Sequence, residues 1–517
     1  ATSKGAADAP VPAFSSSNAL AGALAAARGD TPAGTVGELQ QKHLLALNLR
    51  SVPDADVLFP RAYYLPCLEG CRAACDERRA WRIDFMLSQA AAVLASVVAA
   101  RSIRELSDSS CAAETEVLAV AIAVCERFLV DRQLFTMLES EWLVLATFDF
   151  KEQLAFASEG QREHARGVLE RLREQCSMLQ LDLLRSNIWL VKPSTGALGR
   201  GIAFVKGLDS AGEPMTMDPG KERRANRDDL GYIIQKYIER PHLIEPDRLL
   251  KSAGVSGMIN DDDGAQIQIP SGMNVGIEGS LYKYGIRLWL EVLWCSAEPE
   301  AWLYEQGYID FADSPYTEEL AVSTAHVTNL SLPPSPGRAQ AMTPSPWGWH
   351  SEWYKHYLSV YDADVYSSQL QPQMLHAVAQ ALSSVRPADS AGSVEGKVRW
   401  KRFGIDFIVD ENFKVWLIEF NHNPGMHAAR GHRGDMKREL VKQFCEDERK
   451  LWAWRSSCRT SDNGEIRPCD TRARHGTEDV EGTFAQQCDL KEARESGQAH
   501  KTSCRLAFGF TALQVPG

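Results

Sequence analysis

The sequence predicts an α+β protein, with antiparallel sheets flanked by helices and a helical region ahead of them. Three observations carry this. Residues 39–184 repeat apolar side chains at three-to-four spacing with few turn signals, the period of amphipathic helices. From Asn187 onward, short β-rich runs alternate with helical stretches through Gly-containing connections. The last two runs flank a tight turn, the mark of an antiparallel hairpin. With 517 residues, 44% hydrophobic and 24% charged, the chain has an ordinary globular balance and room for two or three domains.

Residues 1–38 are rich in Ala, Ser, Gly and Pro and read as a disordered leader. Their opening, ATSKGAADAP, has no charged stretch followed by an apolar core, so no secretory signal is expected. Within 39–184 the helical period shows at Phe85, Ala92, Val93 and Leu94, and again at Leu118, Ile122 and Leu129. The apolar stretch Ala90–Ala100 is too short to span a bilayer and reads as a buried helix, so no membrane partner is expected. Cys67, Cys71 and Cys75 recur every four residues without a fourth ligand nearby, which suits packed thiols better than zinc.

Strands are expected at 187–191, 201–205, 231–238, 284–294, 301–309, 403–409 and 414–420, with helices around Trp353–Tyr357 and Met374–Ser383. Residues 246–281, with DDDG, IPSG and GIEG, look like a surface insertion in a body running from 185 to 454. Residues 455–517 are polar, without periodicity, and read as a disordered tail. Lys and Arg number 56 against 68 Asp and Glu, a net charge of −12, so nucleic-acid binding by bulk charge is excluded.

The stretch FGIDFIVDENFKVWLIEFN, 403–421, is the most informative. If Glu411 pairs with Lys414, Asp406 falls directly opposite Glu419, and Asn421 shares their face. Ile405, Phe407, Val409, Trp416, Ile418 and Phe420 then make the other face wholly apolar. Strands rarely oppose like charges. Hard oxygen ligands of this kind suit Mg²⁺, which keeps several waters and bridges substrate phosphates.

Upstream, NIWLVKPSTGALGRGIAFVKG reads strand, Gly-rich loop, strand, and fits neither a P-loop nor a Rossmann fingerprint. Its glycines let backbone N–H groups approach phosphate oxygens that Lys192 and Arg200 would neutralise. Gln235 and Lys236 end the next strand, and Lys283 and Arg287 lie on the one after. Basic groups on successive strands with an acidic face downstream predict a nucleotide clamped between two layers.

IWLVKPSTGALGRGI, QKYIERPHLI, YKYGIRLWL, HVTN and FGIDFIVDENFKVWLIEFN, in this order between 187 and 449, resemble the successive motifs of the tubulin tyrosine ligase-like proteins, which have an ATP-grasp fold. FPRAYYL at 59–65, IDFML at 83–87, LGRGI and QKYIERP are similar to the glycylase branch, the first two to its helical lead-in. The resemblance implies that Lys192 contacts ATP phosphates and that Arg200 and Gly201 belong to the loop over them. It places Gln235, Lys236, Tyr237 and Ile238 along the adenine pocket and hinge. Lys283 would lie near the nucleotide, and Arg287 near the phosphate or the acceptor carboxylate. Thr328 and Asn329 match a catalytic-centre Thr-Asn pair, and Asp406, Glu419 and Asn421 the magnesium ligands.

The activity so implied is ATP-dependent ligation of an amino acid, glycine first, to glutamate side chains of tubulin tails in axonemal microtubules. It proceeds through an acyl phosphate and is carried out by a monomer in the cytoplasm, cilium or flagellum. Polyglutamylation and an inactive microtubule-binding relative are the alternatives. Three positions depart from the family pattern: Gly285 stands where an Asp is usual, Asp310 where an Arg holds the incoming carboxylate, and Leu198 where glycylases often carry Arg. For an acidic protein on an acidic tail, Lys397, Arg399, Lys401 and Arg402 are the expected basic surface, with Arg223, Arg224 and Arg227 a second cluster. His422, His427 and His432, five apart, fit neither a helix face nor a strand and are read as incidental.

Overall fold

The structure is a computed structural model that describes residues 36–50, 52, 54–66, 72–99, 108–132, 135–136, 138–146, 148, 158–194, 201–208, 214–216, 231–253, 258–260, 266–268, 277–294, 299–328, 349–362, 364–385, 399–422, 424, 426, 432–457, 459–460, 466–467, 503–505 and 509–513. The chain forms two compact units, one from Gln41–Pro241, the other from His242–Gly517 with Ala33–Gln40. The expected boundary at 184 is therefore displaced: the N-terminal helices and the first sheet make a single unit.

In the first unit, helices Arg72–Ala99, Asp108–Val130, Glu139–Ala146 and Glu159–Gln175 bury a common core. Leu87, Ala90, Val93 and Leu94 pack there against Leu118, Val124, Phe128, Val168 and Leu172. Asp76–Ala99 is long and apolar enough to cross a membrane by length and composition, but its 90–94 stretch is fully buried among neighbouring helices, as expected of a core helix. Ser158 and Gln161 close a reciprocal cap at the start of the last of these helices. Of the three N-terminal cysteines, Cys67 and Cys71 lie outside the described residues.

The sheet of this unit comprises β1 (Ala62–Pro66), β2 (Trp189–Pro193), β3 (Ala203–Leu208), β4 (Pro214–Thr216) and β5 (Gly231–Lys236). Its order is β1-β5-β2-β3-β4, all antiparallel. β1 corrects the reading of FPRAYYL as part of a helical lead-in. Its Tyr-Tyr-Leu core favours a strand, and two prolines bracket it. Polar groups fix it from the helix Arg72–Ala99: Asp84 accepts from Tyr63 at 2.7 Å and Ser88 at 3.0 Å and pairs with Arg61 at 2.7 Å.

The second unit holds β6 (Leu243–Ile244), β7 (Met258–Asn260), β8 (Gln266–Gln268), β9 (Tyr282–Trp294), β10 (Glu300–Phe311), β11 (Trp349–His350), β12 (Arg399–Val409), β13 (Val415–Asn421), β14 (Arg459–Thr460), β15 (Ile466–Arg467), β16 (Ser503–Arg505) and β17 (Phe510–Leu513). The main sheet runs β13-β12-β9-β10-β17-β16, with β6 on β9 and β11 on β10. The insertion carries a short helix, Asp247–Ala253, and the β7–β8 ladder.

Helices Ser351–Tyr361 and Gln371–Ser383 pack on β10 and β13. The long helix His432–Ser457 lays Leu440, Phe444 and Leu451 on Trp289, Tyr304 and Tyr308. β17 overturns the expectation of disorder through 517. Its Phe510 is fully buried in that same aromatic cluster, and Thr511 donates to Glu305 at 2.6 Å. Four residues with one large aromatic anchor are too short a signal to stand out in a polar tail.

Candidate active site

The hairpin β12–β13 pairs Gly404 with Asn421, Ile405 with Phe420 and Asp406 with Glu419, as the sequence predicts. Nearer the turn the register differs by one residue. Asp410, not Glu411, faces Lys414, around a loop in which Phe413 takes a left-handed conformation at φ 59°. Asp410 accepts from the amides of Asn412 at 2.9 Å and Lys414 at 3.1 Å and from the Trp416 indole at 3.0 Å, which fixes that loop. A bulge at Ile418 restores the offset between Phe407–Leu417 and Asp406–Glu419. In consequence Leu417 is buried and Ile418 only half-buried, a correction to the expected apolar face.

On the other face the two acids meet a third group. Arg287, the β9 partner of Asp406, forks onto its carboxylate through Nε and, at 2.7 Å, Nη2. Asn421 Nδ2 donates to Asp406 at 3.0 Å and Glu419 at 3.1 Å. Burial pushes the Asp406 carboxyl up to about 6; Arg287 pulls against the rise and Glu419 adds to it. Two acids thus face each other while the guanidinium pairs with only Asp406, an arrangement that an additional cation relieves. Among the described residues no three His, Cys, Asp or Glu side chains converge. Two carboxylates and an amide oxygen, available if the Asn421 amide is flipped, fit Mg²⁺, which needs few protein ligands and keeps its waters.

The chain after Asn421 folds back over this face. The Pro424 carbonyl accepts from Arg287 Nη1 at 3.3 Å and from the Trp289 indole at 3.4 Å. Gly404 permits this, since a Cβ there would lie 3.1 Å from both Pro424 Cα and Arg287 Cδ. Arg287 is therefore largely occupied by protein partners, so its role is to hold Asp406 and the returning chain. Farther along β9, a Cβ at Gly285 would meet Thr328 Oγ1 at 3.0 Å, so Thr328 fills the place of the missing side chain. Asp310 is the β10 partner of Gly285 and lies close enough to act electrostatically on Arg287. Lys283, buried on the same face of β9, is pulled down to about 7 by desolvation. Asn329 lies outside the described residues.

The first unit carries the remaining expected residues. Lys192 is buried on β2. Gly201 has φ +73°, and a Cβ there would meet Pro193 Cγ at 2.8 Å, so only glycine fits. Arg200 lies outside the described residues. Gln235 donates to the Pro60 carbonyl at 3.2 Å, and Lys236 to the Ile188 carbonyl at 2.7 Å and to Glu239. Both side chains are committed to the interior, and burial pulls Lys236 down to about 8. Tyr237 and Ile238 are buried, the former edge-on to Phe204.

The basic run before Asp406 is also largely engaged. Arg402 pairs with Glu291 and Glu448, and Lys401 donates to Gln40 at 2.9 Å. Lys397, Arg223, Arg224, Arg227 and His427 lie outside the described residues, and His422 is exposed. Sequence reasoning missed Tyr308 and Lys437. Lys437 reaches the Tyr308 hydroxyl at 3.4 Å from the helix His432–Ser457, far along the chain and with no motif to signal it.

Antiparallel sheets flanked by helices, with paired carboxylates on an arginine-braced strand face, define an α+β protein of the ATP-grasp type. The chain belongs to the tubulin-tyrosine ligase family, whose description matches residues 147–450, more than half of its length. It is 25% identical over 469 residues to tubulin monoglycylase TTLL3 of Danio rerio, covering 82% of this chain and 52% of that protein. It is 27% identical over 444 residues to tubulin monoglycylase TTLL3 of Mus musculus, covering 75% and 41%. It is 25% identical over 464 residues to protein monoglycylase TTLL8 of Homo sapiens, covering 80% and 48%. The chain spans about half the length of the curated relatives it matches.

Proposed function

We propose that this protein is an ATP-dependent ligase that joins glycine to glutamate side chains of tubulin C-terminal tails. The observation that carries the reading is Asp406 facing Glu419 beside Asn421, braced by Arg287. In such a ligation the acceptor carboxylate takes the γ-phosphoryl group of ATP, and the amine then displaces phosphate from the resulting acyl phosphate.

Asp406, Glu419 and Asn421 would hold Mg²⁺, which when bound neutralises phosphate charge. Arg287 keeps the Asp406 carboxylate oriented toward it and fixes the returning chain at Pro424. Lys192 would contribute a cation suited to phosphate oxygens. Named relatives that are monoglycylases support glycine as donor. The protein would act as a monomer in the cytoplasm, on microtubules of a cilium or flagellum. Asp310, a carboxylate beside Arg287, favours as a second reading an inactive relative that binds microtubules.

Purified chain incubated with ATP, Mg²⁺, microtubules and either labelled glycine or labelled glutamate separates these. Glycine transfer is expected. Glutamate transfer would make the protein a polyglutamylase, and microtubule binding without transfer of either would establish the inactive relative.

A further inference from the structure

Arg402 precedes Asp406 by four residues on β12 and lies on the same face, because strand side chains alternate. That face receives the chain that follows β13 at three successive positions. Asn421 bonds Asp406 at 3.0 Å. Pro424 lies over Gly404, where a Cβ would come 3.1 Å from its Cα. Met426 meets Arg402, whose Nη1 donates to its sulfur at 3.2 Å. Residues 421, 424 and 426 thus meet β12 positions 406, 404 and 402 in turn. Arg287 and Trp289 make the middle tie, both donating to the Pro424 carbonyl.

The far tie depends on how firmly Arg402 is held. Its Nε pairs with Glu291 of β9, which is fully buried, and its Nη2 with Glu448 of the helix His432–Ser457. The guanidinium also lies 4.8 Å from the centroid of the Phe444 ring and 5.1 Å from that of Trp400. The rigid fork of an arginine serves all three partners at once, which a lysine could not do. A buried ion pair seldom gains stability over apolar residues of the same volume, so this cluster is better explained by what it places than by what it stabilises.

We propose that Arg402 is a positioning residue for the magnesium ligands: by fixing Met426 it sets the path of the chain after Asn421, and so holds the Asn421 amide beside Asp406 and Glu419. The inference deepens the ligase reading and rests on its metal site. It also gives Arg402 a task other than the tail binding expected of the basic run, since its guanidinium is committed to acids of its own chain.

The test is calorimetric titration of the full chain with ATP, in Mg²⁺ or in EDTA, without amino acid or tubulin. Two variants cut the tie from opposite sides. Met426→Ala leaves the ion cluster in place. Glu291→Leu combined with Arg402→Leu removes both members of the buried pair, so neither charge is stranded. Each is expected to raise the Kd for ATP in Mg²⁺ about tenfold or more, the scale of losing a group that orients a metal ligand, and to leave the Kd in EDTA unchanged. Combining all three substitutions should weaken binding no further than the worse of the two, because both changes act on one tie. Melting temperatures show that each variant is folded. Wild-type affinity in folded Met426→Ala, equal losses with and without Mg²⁺, or additive losses in the combined variant would each show a merely structural arginine and overturn the proposal, with the ligase reading intact. Wild-type chain that binds ATP no better in Mg²⁺ than in EDTA would overturn the metal site and this proposal together. Mg²⁺-dependent ATP binding without transfer of any amino acid would overturn the ligase reading alone.

Discussion

Two carboxylate–arginine clusters, one in each unit, use the same residue types to different ends. In the first, Asp84 is fully buried, and Tyr63, Ser88 and Arg61 all bond it. Asp84 is fully engaged within the protein, and the cluster ties β1 to its helix. In the second, Asp406 keeps a quarter of its side chain exposed, pairs with Arg287 and faces Glu419 across the hairpin, while Asn421 bonds both acids. Burial and like charge raise its carboxyl. A charge cluster that is satisfied within the protein is structural, whereas one that is electrostatically incomplete and reachable from solvent is set up for a ligand.

The strongest way to break this contrast is Glu419→Gln, which removes charge without changing shape. Ligation should fall by about a hundredfold or more, as when a preorganised electrostatic contact is lost, with the melting temperature unchanged or raised because a repulsion is relieved. Transfer assays and thermal melts check both. Full activity in this variant would sink the metal role.

Asp84→Ala should behave in the opposite manner. It strands Arg61 in the interior, and breaking one side of a buried pair costs about 3–5 kcal/mol, read by chemical denaturation. Glycine transfer per folded molecule should be little changed.

Gly404→Ala sharpens the comparison at the acid face itself. The added methyl meets Pro424 and Arg287 at 3.1 Å, tight enough to displace one of them. Overpacking of this kind costs about 1–3 kcal/mol, and activity should fall more than stability, since both neighbours position Asp406. An activity loss no larger than the stability loss predicts would remove that positioning role.

The smallest effect concerns Glu291, which lies between the two cases. Arg402 and Trp400 bond it and Glu448 competes for Arg402, and burial still pushes its carboxyl up to about 7. Its folded pKa is above the unfolded value, so its contribution is fully present at acid pH and is lost as pH rises from about 4.5 to about 7. Glu291→Gln should flatten that part of the stability–pH curve, measured by melts across the range. An unchanged slope would mean the pair is charged throughout.

The acid pair was legible in the sequence, although two local details of the hairpin were not. The expected register assumed a shorter turn, and the loop closed by Phe413 shifts the pairing by one residue. The bulge at Ile418 shifts it back, so Asp406 still faces Glu419. Turn length and bulge position are set by competition among the Asp410 hydrogen bonds, the left-handed Phe413 and packing of Leu417. Alternation alone reports none of these. Lys236 shows the same limit: it lies three residues before Glu239, but only the fold reveals that its ammonium turns inward to that acid.

The amino-acid order by itself determined the local periods, the hairpin, the ordered set of motifs and the opposition of two acids, because these depend on near neighbours in the chain. Tertiary structure decided what completes each sheet. β1 joins β5 from more than a hundred residues away, and β17 joins β10 from more than two hundred. It also decided which charges are already satisfied and which cation, Lys437, reaches the face from a distant helix. Those outcomes follow from burial and long-range pairing, whose energies exist only once separate segments share one interior.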